Sequence, residues 1–202
     1  MPRFAAKAVL KPLPLAALAV ATVVLAGVLY VILSGPVHAL GRPPAALSRL
    51  QLLRHPRPAP DIAVADGQGR LRMLDSFRGH YLLVNLWATW CSPCVRELPA
   101  LAALKTALKG QGLAIVAVNV GHADPKTIRA FLTAHGAEGL GVWRDPAHAF
   151  IRSFDAYGLP TSILIDPAGR EIARVIGTAS WDAPSAISYF RHLLATAPKP
   201  VP

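Results

Sequence analysis

Residues 81–98 read YLLVNLWATWCSPCVREL, and the order of residue types within them decides the fold. Tyr81 to Ala88 is an apolar, aromatic-rich run of the kind that forms a buried strand. It ends directly at Trp90-Cys91-Ser92-Pro93-Cys94, and Val95 to Leu108 then reads as a helix. A strand feeding a Cys-x-x-Cys pair, with a helix behind it, sets the first cysteine at a helix N-terminus. The unpaired N–H groups there carry partial positive charge and favour a thiolate. A thiol with an ordinary pKa of about 8.5 can fall to between about 3.5 and 7.5 in such a place.

Cys91, at the very end of the helix, is the expected nucleophile. Cys94 lies within the first turn, is less exposed, and is the expected resolving thiol. Pro93 suits the first turn because it gives up an N–H that has no helical partner anyway. Trp90 abuts the nucleophile and reads as partner-contact surface, with Ser92 and Pro93 beside it. These are the only two cysteines of the chain, so they cannot form the disulfide framework of a small secreted domain. Covalent haem attachment would require His after the second cysteine, where Val95 stands. Structural zinc would require a second ligand pair, and the seven histidines are scattered. The expectation is therefore no metal and no cofactor beyond a redox-active disulfide, Cys91–Cys94.

Outward from this centre, strands and helices alternate. Asp61 to Val64 and Leu71 to Leu74 flank Asp66-Gly67-Gln68-Gly69, a hairpin signal near the start of the domain. Leu113 to Val120 is a nearly all-apolar run typical of a central parallel strand. Pro125 to His135 reads as a helix capped by Asp124, and Asp145 is placed to cap another from Pro146 to Phe154. Thr161 to Ile165 and Glu171 to Ile176 read as strands joined by a turn at Asp166-Pro167-Ala168-Gly169. Asp182 is placed to cap a last helix ending near Ala195. This order implies an α/β fold with a central mixed sheet flanked by helices and an N-terminal β-hairpin.

The N-terminal third reads differently. Arg3, Lys7 and Lys11 precede an uncharged apolar run, residues 15–33, whose nineteen residues at the helical rise span about 28 Å. This is the length of a single transmembrane helix. The run is long for the apolar part of a cleaved signal peptide, although Val37-His38-Ala39 offers the small residues of a cleavage site. A retained signal anchor is the expected reading, with residues 1–14 in the cytoplasm and the rest outside it. Net charge is +10, but residues 1–60 hold seven basic side chains and no acidic one, leaving 14 basic against 11 acidic beyond them. The basic excess accompanies the apolar run, where it can orient an anchor or meet anionic lipid, and argues against nucleic acid as partner. Six prolines between residues 35 and 60 suggest a stiff linker over residues 34–60, with a short helix somewhere in 44–55 belonging to linker or membrane surface rather than core. The globular domain is expected over residues 61–196 and a tail over 197–202.

Residues 87–99, WATWCSPCVRELP, resemble the active-site segment of the TlpA/ResA/DsbE (CcmG) branch of thioredoxin-like proteins. Tyr157-Gly158-Leu159-Pro160-Thr161 resembles that family's second active-site loop, and the likeness extends over about residues 61–194. The resemblance implies a thioredoxin-like fold, a cis peptide bond before Pro160, and a Leu159 backbone beside the sulfurs where a partner chain could pair as an added strand. Leu159 and Thr161 are thus expected substrate-binding positions and Pro160 an active-site residue. The resemblance also implies that Glu97, three residues after Cys94 and on the same helix face, tunes the pair and moves protons. The alternative is an exposed first-turn acid favoured by the helix dipole. Asn85 departs from ordinary thioredoxin, which has a buried Asp there. An amide cannot act as a base, so Glu97 or water must accept the proton of Cys94. Trp87 and Pro99 read as structural.

The function expected from this reading is an extracytoplasmic protein thiol–disulfide oxidoreductase on the bacterial inner membrane. In it Cys91 attacks a client disulfide and Cys94 resolves it. Ser92-Pro93 offers no cation to stabilise a thiolate strongly, which favours reduction over oxidation or isomerisation. The family implies apocytochromes c, with their Cys-x-x-Cys-His sites, as clients in cytochrome c maturation, and a membrane electron donor of the DsbD/CcdA kind. An oxidase or isomerase is the alternative. A copper metallochaperone of the related Sco type is disfavoured, because its cysteines stand one residue further apart.

Overall fold

The computed structural model describes residues 24–25 and 41–196. The expected cytoplasmic terminus (1–14), the anchor (15–33, apart from Val24 and Leu25, which are helical) and the tail (197–202) lie outside the described residues. Among the described residues no helix is long and apolar enough to cross a membrane.

Eight strands form one mixed sheet. They are β1 (Leu50–Pro58), β2 (Ala63–Asp66), β3 (Leu71–Met73), β4 (Tyr81–Trp87), β5 (Leu113–Asn119), β6 (Trp143–Arg144), β7 (Thr161–Ile165) and β8 (Arg170–Ile176), in the order β1-β8-β7-β4-β5-β6-β2-β3. β4 runs parallel to β5, and β5 to β6, while the remaining pairs are antiparallel. The helices are α1 (Ser92–Ala107), α2 (Pro125–Ala134), α3 (Phe150–Ser153) and α4 (Pro184–Thr196).

β4 is buried at every position and paired on both sides, which accounts for its lack of hydrophobic alternation. Its side chains divide between two cores. Leu83 and Trp87 join Leu98, Leu101 and Leu104 of α1 with Phe190 and Leu193 of α4 on one face. Leu82, Val84 and Leu86 meet Phe150 and Phe154 on the other. Trp87 is fully buried and its indole N–H donates to the Ala117 carbonyl at 3.1 Å, a structural role as expected.

The two expected hairpin turns close by the same device. Asp66 and Asp166 each accept N–H groups from the residues two and four positions on, and each bonds the guanidinium of Arg70 or Arg170. Gly69 and Gly169 supply the positive φ that each turn needs, 81° and 80°.

The linker expected over residues 34–60 is corrected across its second half. Residues 45–47 form a 3-10 turn whose Leu47 is fully buried in the first core. From Leu50 the chain then runs as β1, antiparallel to β8, with Leu50 opposite Val175 and Pro58 opposite Arg170. The prolines are tolerated because β1 is the sheet edge, where one side of the backbone needs no partner. A bulge between Leu52 and Arg57 absorbs the irregularity. Beyond it Arg57 donates to the buried carboxylate of Glu171 at 2.9 Å. The domain therefore begins by Ala45 rather than Asp61.

Residues 146–149 are also less regular than expected. Asp145 accepts from the N–H groups of Ala149 and Phe150, but α3 spans only Phe150–Ser153 and its N-cap position is Ala149. His148, with φ of 50°, interrupts the helical path just before it.

Candidate active site

β4 ends at Trp87, and after three intervening residues the chain turns into α1 with Cys91 as its N-cap. Cys91 and Cys94 are joined as a disulfide, with Cα atoms 5.3 Å apart. The N–H of Cys94 donates to Cys91 Sγ at 3.3 Å, so one free N–H of the first helical turn meets the sulfur expected to carry negative charge. Cys91 is 5% exposed and Cys94 1%, so the N-cap cysteine is the more accessible of two buried residues. Pro93 sits in the first turn, and α1 continues through Pro99, which is exposed.

The Leu159–Pro160 bond is cis, as the resemblance implied. The loop that carries it faces the disulfide across an open cleft. Trp90, Cys91, Ser92 and Pro93 line one side, and Ala156, Tyr157, Gly158 and Leu159 line the other, over a floor that includes Val120 and Ile151. Trp90 is 74% exposed and Tyr157 87%, unusual for rings of this size. Ser92 is exposed and Leu159 half-buried at the same rim. Pro160 is buried, and its carbonyl accepts from Gly177 N–H, fixing the loop to the end of β8. Thr161, expected at the substrate, turns its side chain inward. That side chain is fully buried and donates to the Gly158 carbonyl at 2.7 Å, bracing the loop from below.

Glu97 is 3% exposed, so the alternative of a solvated first-turn acid is corrected. Its Oε1 accepts from the N–H of Ala179 at 2.9 Å and from the indole N–H of Trp181. Its Oε2 accepts from Asn85 Nδ2 at 3.4 Å, and Asn85 also donates to Ser162 Oγ at 2.9 Å. Burial pushes the carboxyl from its ordinary 4.5 up to about 7, while these three hydrogen bonds pull the other way. Such a group can both take and give a proton near neutral pH.

Trp181, Ala179 and Ser162 were not legible as site residues in the sequence. They reach Glu97 and Asn85 from 77 to 84 positions away. The lone tryptophan before the last helix was the only local signal among them. Tyr157 stood within the quoted loop, but its exposure emerges only from the fold.

Comparison with known proteins agrees with this geometry. The family model described as the AhpC/TSA family matches residues 56–173. The thiol–disulfide oxidoreductase ResA of Bacillus subtilis is 34% identical over 120 residues, 59% of this chain and 66% of that protein. The ResA of Geobacillus thermodenitrificans is 35% identical over 121 residues, 59% of this chain and 68% of the relative. The crystal structure of a thiol:disulfide interchange protein DsbE from Chlorobium tepidum superposes with a TM-score of 0.60 at 29% identity, covering 70% of this chain and 99% of that one. The fold is thus thioredoxin-like, as the resemblance implied.

Proposed function

The chain belongs to the AhpC/TSA family, and from that premise we propose that it reduces the disulfides of client proteins outside the cytoplasm. It is a protein thiol–disulfide oxidoreductase of the ResA and DsbE kind. The observation that carries the reading is the Cys91–Cys94 disulfide at the N-terminus of α1, opening onto an apolar cleft flanked by exposed aromatic rings.

In the reduced protein the Cys91 thiolate attacks one sulfur of a client disulfide. A mixed disulfide forms and the other client sulfur leaves as a thiolate. Glu97, one helical turn beyond Cys94, takes the proton of the Cys94 thiol. The Cys94 sulfur then attacks Cys91 Sγ, the intramolecular disulfide forms, and the client departs with both sulfurs reduced. Two electrons pass from the pair to the client, so the pair must be recharged. A membrane electron donor of the DsbD/CcdA kind suits a site tethered by residues 15–33. Trp90 and Tyr157 hold apolar client segments at the rim, and the Leu159 backbone pairs with an extended client chain. Apocytochromes c, whose Cys-x-x-Cys-His sites must be reduced before haem attachment, are the proposed clients.

The test is covalent capture in cells. Cys94→Ser should accumulate mixed disulfides through Cys91 with proteins bearing Cys-x-x-Cys-His. Capture by Cys91→Ser and none by Cys94→Ser would reverse the roles. Capture of clients without such sites would redirect the substrate class.

A further inference from the structure

The carboxyl of Glu97 is held from two unequal sides. Oε1 accepts two hydrogen bonds, from Ala179 N–H and the Trp181 indole, and both of its lone pairs are engaged. Oε2 accepts only from Asn85 Nδ2, at 3.4 Å the longest of the three. The second proton of that amide goes to Ser162 Oγ. Asn85 and Ser162 are each 1% exposed and Trp181 is fully buried, so the network has little recourse to solvent.

A proton arriving on this carboxyl finds no free lone pair on Oε1 and goes to Oε2. There it meets the Asn85 N–H, donor against donor, which a buried site does not tolerate cheaply. Asn85 can remove the conflict by rotating its amide alone, with the rest of the side chain in place. Turning the amide over exchanges Nδ2 and Oδ1, two groups of nearly the same shape. Oδ1 then accepts from the Glu97 O–H and from the Ser162 hydroxyl, whose proton rotates to suit. An aspartate at position 85 would bring its own titration into the same space, whereas the amide carries both a donor and an acceptor and no charge.

We propose that Trp181 and Ala179 direct the exchangeable proton of Glu97 to Oε2, and that Asn85, backed by Ser162, is a positioning residue that follows this proton by reversing its amide. The inference deepens the reading of Glu97 as proton acceptor and rests on it. The groups that meet Glu97 are Asn85 from β4, with Ser162 of β7 behind it, and Ala179 and Trp181 from the segment after β8. Burial raises its carboxyl, and the hydrogen bonds from Ala179, Trp181 and Asn85 oppose the rise.

The test uses the full chain, oxidised so that neither cysteine titrates. It carries 13C in glutamate carboxyls and 15N in asparagine side-chain amides, and is followed by NMR from pH 5 to 9. Above the Glu97 midpoint the Asn85 amide protons should show NOEs to the β protons of Ser162. Below it those NOEs should vanish, with the same midpoint as the Glu97 carboxyl carbon. Trp181→Phe, which removes a donor to the ionised form and frees a lone pair on Oε1, should raise the Glu97 midpoint by roughly one pH unit or more and release the Asn85–Ser162 NOEs from it. Asn85–Ser162 NOEs that persist on both sides of the midpoint would overturn the proposal. So would a midpoint that Trp181→Phe lowers or leaves in place. The wild-type measurement stands if that variant does not fold. No client or electron donor is involved, so failure here leaves the reductase reading intact, and failed client capture leaves this one intact.

Discussion

Replacing Glu97 with Gln removes one titration from the interior while keeping the side chain's size and an acceptor for Trp181 and Ala179. The folded-state pKa of Glu97 is raised, from 4.5 to about 7. The native state therefore binds the proton more tightly than the unfolded chain. Between these two values stability falls as pH rises, and the full penalty is present above 7. At about 1.36 kcal/mol per pH unit, a rise from 4.5 to about 7 sets a ceiling of about 3.4 kcal/mol. Integrated between pH 5 and pH 8, the loss attributable to this one group is about 2.5 kcal/mol. Other carboxylates act in the opposite sense, Asp124 for one, whose carboxyl the N-terminus of α2 holds below its usual range. They cancel when wild type is compared with Glu97→Gln. Urea unfolding of both oxidised proteins at pH 5, 6, 7 and 8, with the disulfide intact, gives the two profiles. Glu97→Gln should gain about 2.5 kcal/mol relative to wild type across that range. Parallel profiles would refute the reasoning, because they would mean that Glu97 titrates alike in the folded and unfolded chain.

Further outcomes follow from individual positions. Leu47→Ala should cost about 2 to 5 kcal/mol in unfolding, since Leu47 is fully buried in the first core; a linker residue would change stability by less than about 0.5 kcal/mol. Trp90→Ala and Tyr157→Ala, at rings 74% and 87% exposed, should each raise KM for a protein disulfide several-fold. Reactivity with a small disulfide should stay near wild type, measured by stopped-flow thiol exchange. Glu97→Gln should slow resolution of a preformed Cys91 mixed disulfide at pH 7 by about 100-fold or more, as loss of a proton acceptor does. Its attack by Cys91 should change much less, so rapid quench of the two steps separates them.

The parts of the fold that were readable in the sequence are those specified by contiguous patterns. The apolar run into Cys91, the all-apolar β5, and the two turns built on Asp66 and Asp166 each carry their signal within a few residues. β1 was hidden because Pro56 and Pro58 read as linker until a neighbour shows the strand to be an edge. The burial of Glu97 was hidden for a related reason. Helical spacing places it one turn beyond Cys94, but whether that face meets solvent or protein depends on Ala179 and Trp181, 82 and 84 positions away. Likewise Thr161 adjoins the cis-proline in sequence, yet strand alternation turns its side chain inward. Within the site, then, the sulfur chemistry and Glu97 were legible and the groups that hold Glu97 were not.

The direction of electron flow is tested most directly by the reduction potential of the Cys91–Cys94 couple, equilibrated with glutathione or thioredoxin of known poise and read by alkylation and mass analysis. A reductase with no cation between its cysteines should lie near the value of thioredoxin, about −270 mV. A value close to that of a strong oxidant such as DsbA, about −120 mV, would contradict the reductase and identify the site as one that inserts disulfides.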